Sequence, residues 1–139
     1  MKLFALLSFL LPIAAAGQTT ADYENAMTKF QKFYNGGHGD SINAMFGRGW
    51  DQMKAIKPLW TNEDIASSLK EFGTLNSFKF IGIDTLDPNR VHVFETFFSN
   101  GDVKTTSLTL DKDFGLDTFR FITSSEGINE LLKKQKWRR

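Results

Sequence analysis

The chain has no cysteine. That absence excludes disulfides, thiol nucleophiles, thiolate metal sites and a lipid-modified cysteine. Histidine occurs only twice, too few for a histidine-built zinc site, so no metal and no cofactor is expected. Tyrosine also occurs only twice and proline three times, and neither proline nor glycine gathers into a linker. Neither sign of charge dominates: 17 Lys+Arg stand against 16 Asp+Glu, and no global basic field argues for nucleic acid. No repeat or low-complexity stretch is visible.

Phenylalanine, by contrast, is abundant. Fourteen Phe and three Trp supply a large apolar area, at about 1.5 to 3 kcal/mol for each Phe fully buried. A core of that kind needs no metal or disulfide staple.

The first residues run from Met1-Lys2-Leu3-Phe4 to Ala14-Ala15-Ala16-Gly17. They carry one positive charge, an apolar run interrupted by Pro12 and a small-residue end, which is the pattern of a secretory signal peptide. The run falls short of the roughly 20 residues that span a bilayer. The expectation is a cleaved leader at 1–17, a domain at 18–125 and a basic tail at 126–139, with the mature protein secreted, periplasmic or extracellular. Loss of Lys2 would leave 16 Lys+Arg against 16 Asp+Glu, a formally neutral product.

Tyr23, Ala26, Met27, Phe30, Phe33 and Tyr34 fall on one face of a helix over 21–34, which Asn35-Gly36-Gly37 ends. Asp40-Ser41 offers a cap for a short helix carrying Ile42, Ala44, Met45 and Phe46, broken by Gly47-Arg48-Gly49. Residues 50–60 read as an irregular helical turn stopped by Pro58. Thr61 caps a further helix with Glu63 and Asp64 in its first turn, followed by Ile65, Leu69 and Phe72 and closed by Gly73.

From Leu75 the apolar period changes to two. Four short strands follow, with Asn100-Gly101 read as a two-residue type I′ hairpin turn. Helices followed by a meander make an α+β fold, with N-terminal helices packed on a curved, mainly antiparallel four-stranded sheet. Alternation places Phe78, Phe80, His92, Phe94, Phe98, Leu108, Leu110, Phe119 and Phe121 on the face under the helices. Lys79, Ile81, Val91, Val93, Glu95, Phe97, Thr105, Ser107, Thr109, Arg120 and Ile122 share the other face. Two readings of that semi-apolar second face stay open: a homodimer contact, or an ordinary half-exposed sheet rich in strand-forming residues.

Three stretches carry a family resemblance. Phe30-Gln31-Lys32-Phe33-Tyr34-Asn35-Gly36-Gly37-His38-Gly39-Asp40, followed by Ile42 and Met45-Phe46, is similar to the opening of the nuclear transport factor 2-like superfamily, the cone-shaped α+β fold also called cystatin-like. Gly73-Thr74-Leu75-Asn76-Ser77-Phe78 resembles its entry into the first strand. Asp113-Phe114-Gly115-Leu116-Asp117-Thr118-Phe119-Arg120-Phe121 resembles its last hairpin. The resemblance is nearest to small secreted bacterial domains of unknown function, some of which precede serine hydrolase domains. It implies a cone whose open end, lined by the concave sheet face and early helices, is the ligand site. Activity does not follow from it, because a fold hosts many functions.

Within that frame His92 is the candidate general base, placed among phenylalanines on the concave face. The alternative is a core histidine bonded to a backbone carbonyl or a Tyr hydroxyl. Trp50, Trp60, Tyr34, Phe94 and Phe119 are the candidate ligand-binding residues, and Trp50 and Trp60 could equally plug the opening. Tyr23 and Tyr34 lie on the apolar stripe, where a core role with a polar tip is expected. Asp117 is read either as facing the cone or as a solvated turn carboxylate. His38 and Asp40 belong to a glycine-rich turn rather than to a metal site. Gly36, Gly37 and Gly39 form no phosphate loop, since no strand precedes them and no Gly-Lys-Ser or Gly-Lys-Thr follows. In the tail, Ile128, Leu131 and Leu132 precede Lys133, Lys134, Lys136, Trp137, Arg138 and Arg139. Such an end can lie on anionic lipid, but a solvated terminus accounts for it, and membrane contact by the tail is not expected.

The leading expectation is a non-catalytic module that binds a small apolar ligand or a partner protein. Its rivals are a small isomerase or lyase with His92 as base, and an accessory domain acting with a secreted hydrolase.

Overall fold

The computed structural model describes residues 18–84 and 90–122; the expected leader and basic tail lie outside them. Helix α1 (Thr20–Asn35) buries Tyr23, Ala26, Met27, Phe30 and Tyr34, the stripe that the spacing predicts. Its start is locked by the Thr19 N–H, which donates to the Asp22 carboxylate at 2.7 Å.

Helix α2 (Gly39–Met45) begins one residue earlier than its sequence implies, with Asp40 inside the first turn instead of capping it. The Gly39 N–H is taken by Asn62 Oδ1 at 2.8 Å. A Cβ on Gly39 would lie 2.9 Å from the backbone of Thr61 and Asn62, so only glycine allows this approach. A 3-10 turn (Arg48–Trp50) and helix α3 (Asp51–Ile56) replace the irregular turn expected over 50–60. α3 ends at the extended Lys57, as the following Pro58 requires. In helix α4 (Asn62–Phe72) the predicted cap forms: the Asp64 N–H donates to Thr61 Oγ1 at 3.0 Å and the Thr61 N–H to Asp64 Oδ2 at 3.1 Å. These bonds hold the Asp64 carboxyl below the usual carboxylate range. Gly73 closes the helix at φ 78°.

Strands β1 (Leu75–Asp84), β2 (Val91–Phe98), β3 (Val103–Leu110) and β4 (Leu116–Ile122) form one antiparallel sheet in the order β1-β2-β3-β4. The molecule is an α+β fold with its helices packed on a curved four-stranded sheet. The β2–β3 turn differs from the expected type I′ form, which needs positive φ at both central residues. Here Gly101 alone has it, at 95°. The Gly101 N–H closes on the Phe98 carbonyl at 3.0 Å, and the Asn100 side chain bonds the Glu71 carbonyl and Asp102 instead.

Three register shifts change which residues share a face, the first between Leu75 and Ser77 at the start of β1. Between Phe80 and Gly82 the β1–β2 pairing slips by one, so Ile81 is the bulged residue and Ile83 comes opposite His92. Between Thr109 and Leu110 the β3–β4 pairing slips likewise and leaves Asp117 unpaired.

The face under the helices carries Phe94, Phe98, Leu108 and Leu110 in the core, with Phe78, Phe80 and Phe119 packed against it. Thr96, Lys104 and Thr106, which the alternation pattern left unassigned, are buried there too. Thr96 Oγ1 donates to the Lys104 carbonyl at 2.9 Å and lies 3.2 Å from Thr106 Oγ1. The Lys104 ammonium stands 3.9 Å over the Phe72 ring, a cation–π contact that offsets part of the cost of its burial. On the opposite face Val93, Thr105 and Thr109 are buried, and Ile81, Val91 and Phe97 are half-buried. Val93 is fully buried without belonging to the core under the helices.

Candidate functional site

Among the described residues, the candidate ligand-binding residues pack against other side chains, and none of them borders the cleft at the β3–β4 turn. Phe30 of α1, fully buried, is a hub with Phe119 at 4.4 Å, Trp60 at 5.6 Å and Tyr34 at 5.7 Å between ring centroids. Three of the five candidates thus gather round one phenylalanine that fills the space between them. Phe94 lies apart, fully buried between Phe78 and Phe80. Trp50 is also separate: it packs edge-on against Phe46 at 5.8 Å, and its indole N–H donates to the Asp117 carbonyl at 2.8 Å. The Tyr34 hydroxyl donates to the Gly73 carbonyl at 3.1 Å, and burial pushes its pKa up to about 12.

His92 sits on the inner face as the alternation predicts. Tyr23 covers its ring face to face, with centroids 3.4 Å apart and planes at 9°, and Phe80 stands 5.8 Å away. Its Nδ1 is 3.0 Å from the Arg90 carbonyl. Since a carbonyl only accepts, Nδ1 carries the proton and Nε2 the lone pair. Burial lowers its pKa and the Arg90 charge adds to that, against the opposing effect of the hydrogen bond. Glu95 pairs with Lys79 and Thr105 on the other face. Among the described residues no carboxylate is within bonding reach of the imidazole. The arrangement is a neutral, shielded histidine. Asp117 is exposed at its bulge, and His38 is exposed, its ring beside Gly36.

A concave feature lies elsewhere, where the sequence showed only a hairpin. A cleft of about 360 Å³ is bounded by Asp22, Asn25 and Lys29 of α1, Met45 of α2 and the β3–β4 turn at Phe114 and Gly115. Asp22, Asn25 and Lys29 recur every three or four residues, so they form a polar strip beside the buried stripe of α1.

The turn opposite is rigid. Asp111 Oδ1 accepts from the N–H groups of Asp113 and Gly115, both at 2.9 Å, while the Asp111 N–H donates to the Gly115 carbonyl at 2.8 Å. Gly47 packs on Gly115 so closely that a Cβ there would lie 2.6 Å from Gly47 Cα. The Gly47 N–H donates to the Leu116 carbonyl at 2.9 Å. Clamped in this way, Phe114 is held at φ 65° with 57% of its surface exposed. A bulky residue in the left-handed region at a turn tip is strained. The one local signal for it was Asp111 and Gly115 flanking an aromatic. The partner glycine, Gly47, is far off in sequence and gave no signal.

Among the described residues no cluster of three His, Asp or Glu side chains stands ready for a metal. No protein-family model, curated protein or solved structure matches this chain.

Proposed function

We propose that the chain is a non-catalytic binding module for a small, partly apolar molecule, and that the ligand occupies the cleft between α1, α2 and the β3–β4 turn. The observation that carries this reading is the contrast between two places. Under the helices, Phe30 fills the space that the aromatic candidates surround. At the cleft there is room, with Met45 and Phe114 beside Asp22, Asn25, Lys29 and Asp113. A volume of about 360 Å³ is at the lower end of small-molecule sites, which combine an apolar wall with a few polar groups. Strain retained at an exposed Phe is the mark of a position kept for contact with something else.

The leader-like first residues and the resemblance to the nuclear transport factor 2-like superfamily support placing such a module outside the cytoplasm. Its site would then lie beside the cone instead of within it. The rival isomerase reading needs substrate against His92, where Tyr23 already stacks. Amide NMR of the isotopically labelled protein, titrated with fatty acids, indoles and sterols, tests the proposal. Shifts concentrated at Asn25, Lys29, Met45 and Gly115 are expected for a ligand. Shifts centred on Tyr23 and His92 would favour the isomerase, and no shift with any compound would reject the cleft.

A further inference from the structure

Helix α3 is the least embedded element of the fold. None of its six residues is buried, and its two large apolar side chains point outward: Met53 is 55% exposed and Ile56 85%. Spaced three apart, they share one side of the helix. The spacing is regular, and this apolar side is largely open, Ile56 more so than Met53.

The element is nevertheless held firmly. The Lys54 ammonium donates to the Phe46 carbonyl at 3.1 Å and pairs with Asp51 at 3.4 Å. At the entrance to α3 the Trp50 indole is tied to Asp117. Beyond its end, Asn43 grips the backbone of Trp60 from both sides, accepting from its N–H at 2.8 Å and donating to its carbonyl at 2.6 Å. Met53 and Ile56 are therefore presented by a fixed support.

The segment from Arg48 to Trp60 carries Arg48, Lys54 and Lys57 against the single acid Asp51. Arg48 and Lys57 are exposed and, among the described residues, form no ion pair; the charge of Lys57 also reaches Asp64. The one acid of the segment, Asp51, is occupied by Lys54. Trp50 and Trp60 flank the helix in sequence, each half-buried and packed inward, Trp50 on Phe46 and Trp60 on Phe30 and Phe119. We infer that this segment, Arg48 to Trp60, is an interfacial anchor that rests on an anionic phospholipid surface. Met53 and Ile56 enter the headgroup–acyl boundary, and Arg48 and Lys57 meet phosphate.

Lipid fits better than protein for a physical reason. Two apolar side chains on a six-residue helix make too small a patch for a protein interface, whose buried centre is also depleted of lysine. A bilayer surface accepts shallow apolar insertion flanked by cations. The site is distinct from the cleft beside Phe114, so either can fail without the other.

The test uses the full chain with vesicles of phosphatidylcholine, with and without about 30% phosphatidylglycerol. Met53→Gln/Ile56→Gln leaves every basic residue in place, including those of the chain end. Sedimentation at low salt should show wild type bound to the anionic vesicles, released by salt, and roughly tenfold weaker binding by the double variant. Because the chain has no cysteine, Ile56→Cys and Val103→Cys each accept one environment-sensitive fluorophore. The probe at 56 should shift to the blue on anionic vesicles and the probe at 103 should not. Equal binding by wild type and the double variant overturns the inference. So does failure of wild type to bind, or a shift at 56 produced by self-association without lipid.

Discussion

Tyr23 of α1 lies flat on His92 of β2, ring centroids 3.4 Å apart and planes at 9°, and this pair ties the first helix to the centre of the sheet. The same contact takes the imidazole out of water. Burial lowers its pKa from the ordinary 6.5, so the unfolded chain binds a proton in a pH range where the folded one does not. Stability is therefore lost as pH falls through 6.5 towards the folded value, and unaffected by this group above it. Urea melts between pH 7.5 and 5.5 should show that decline. His92→Phe, which keeps a ring against Tyr23, should flatten it, and an unchanged slope would assign the effect to other groups.

Tyr34 gives the opposite edge. Its hydroxyl is bonded to Gly73 and its pKa is raised from 10.0 to about 12, so its contribution is complete below pH 10 and lost as pH rises from there to 12. Absorbance titration at alkaline pH should show Tyr34 ionising late. Tyr34→Phe should cost about 1 kcal/mol at neutral pH and remove that late step.

Phe114 is expected to trade stability for contact. Its left-handed backbone suits Asn better, so Phe114→Asn should raise stability by about 1 kcal/mol while abolishing ligand-induced shifts at the cleft. Gly115→Ala, whose Cβ would press on the Gly47 backbone, should do the reverse to stability. Chemical denaturation of both variants checks the pair.

Phe30 is the hub of the inner aromatic cluster. Phe30→Ala should lower the unfolding free energy by about 3 to 5 kcal/mol, read from the urea midpoint. A loss below about 1 kcal/mol would mean that the cluster is loosely packed.

Thr105 carries the one buried hydroxyl that, among the described residues, finds no hydrogen-bond partner. Thr105→Val keeps the branched shape and removes the unsatisfied group, and should stabilise by about 1 to 2 kcal/mol. A destabilised variant would show that the oxygen is in fact served.

Residue order by itself determined the class of this fold and the interior of its helices. The Tyr23-to-Tyr34 stripe, the Thr61 cap and the Phe-rich strand face are local patterns with periods of three to four or of two, and local chemistry suffices to produce them. Tertiary structure decided everything that depends on a slip or a distant partner. One bulge at Ile81 turned Ile83 in beside His92, and the Asn100 side chain was drawn to α4 instead of forming the turn its neighbour suggested. The turn that walls the cleft packs on Gly47 through Gly115, a contact no periodicity records. Whether the aromatic residues lined a cavity or filled it was likewise beyond sequence, because packing is settled by volume and approach in three dimensions. Here Phe30 occupies the space that Tyr34, Trp60 and Phe119 surround.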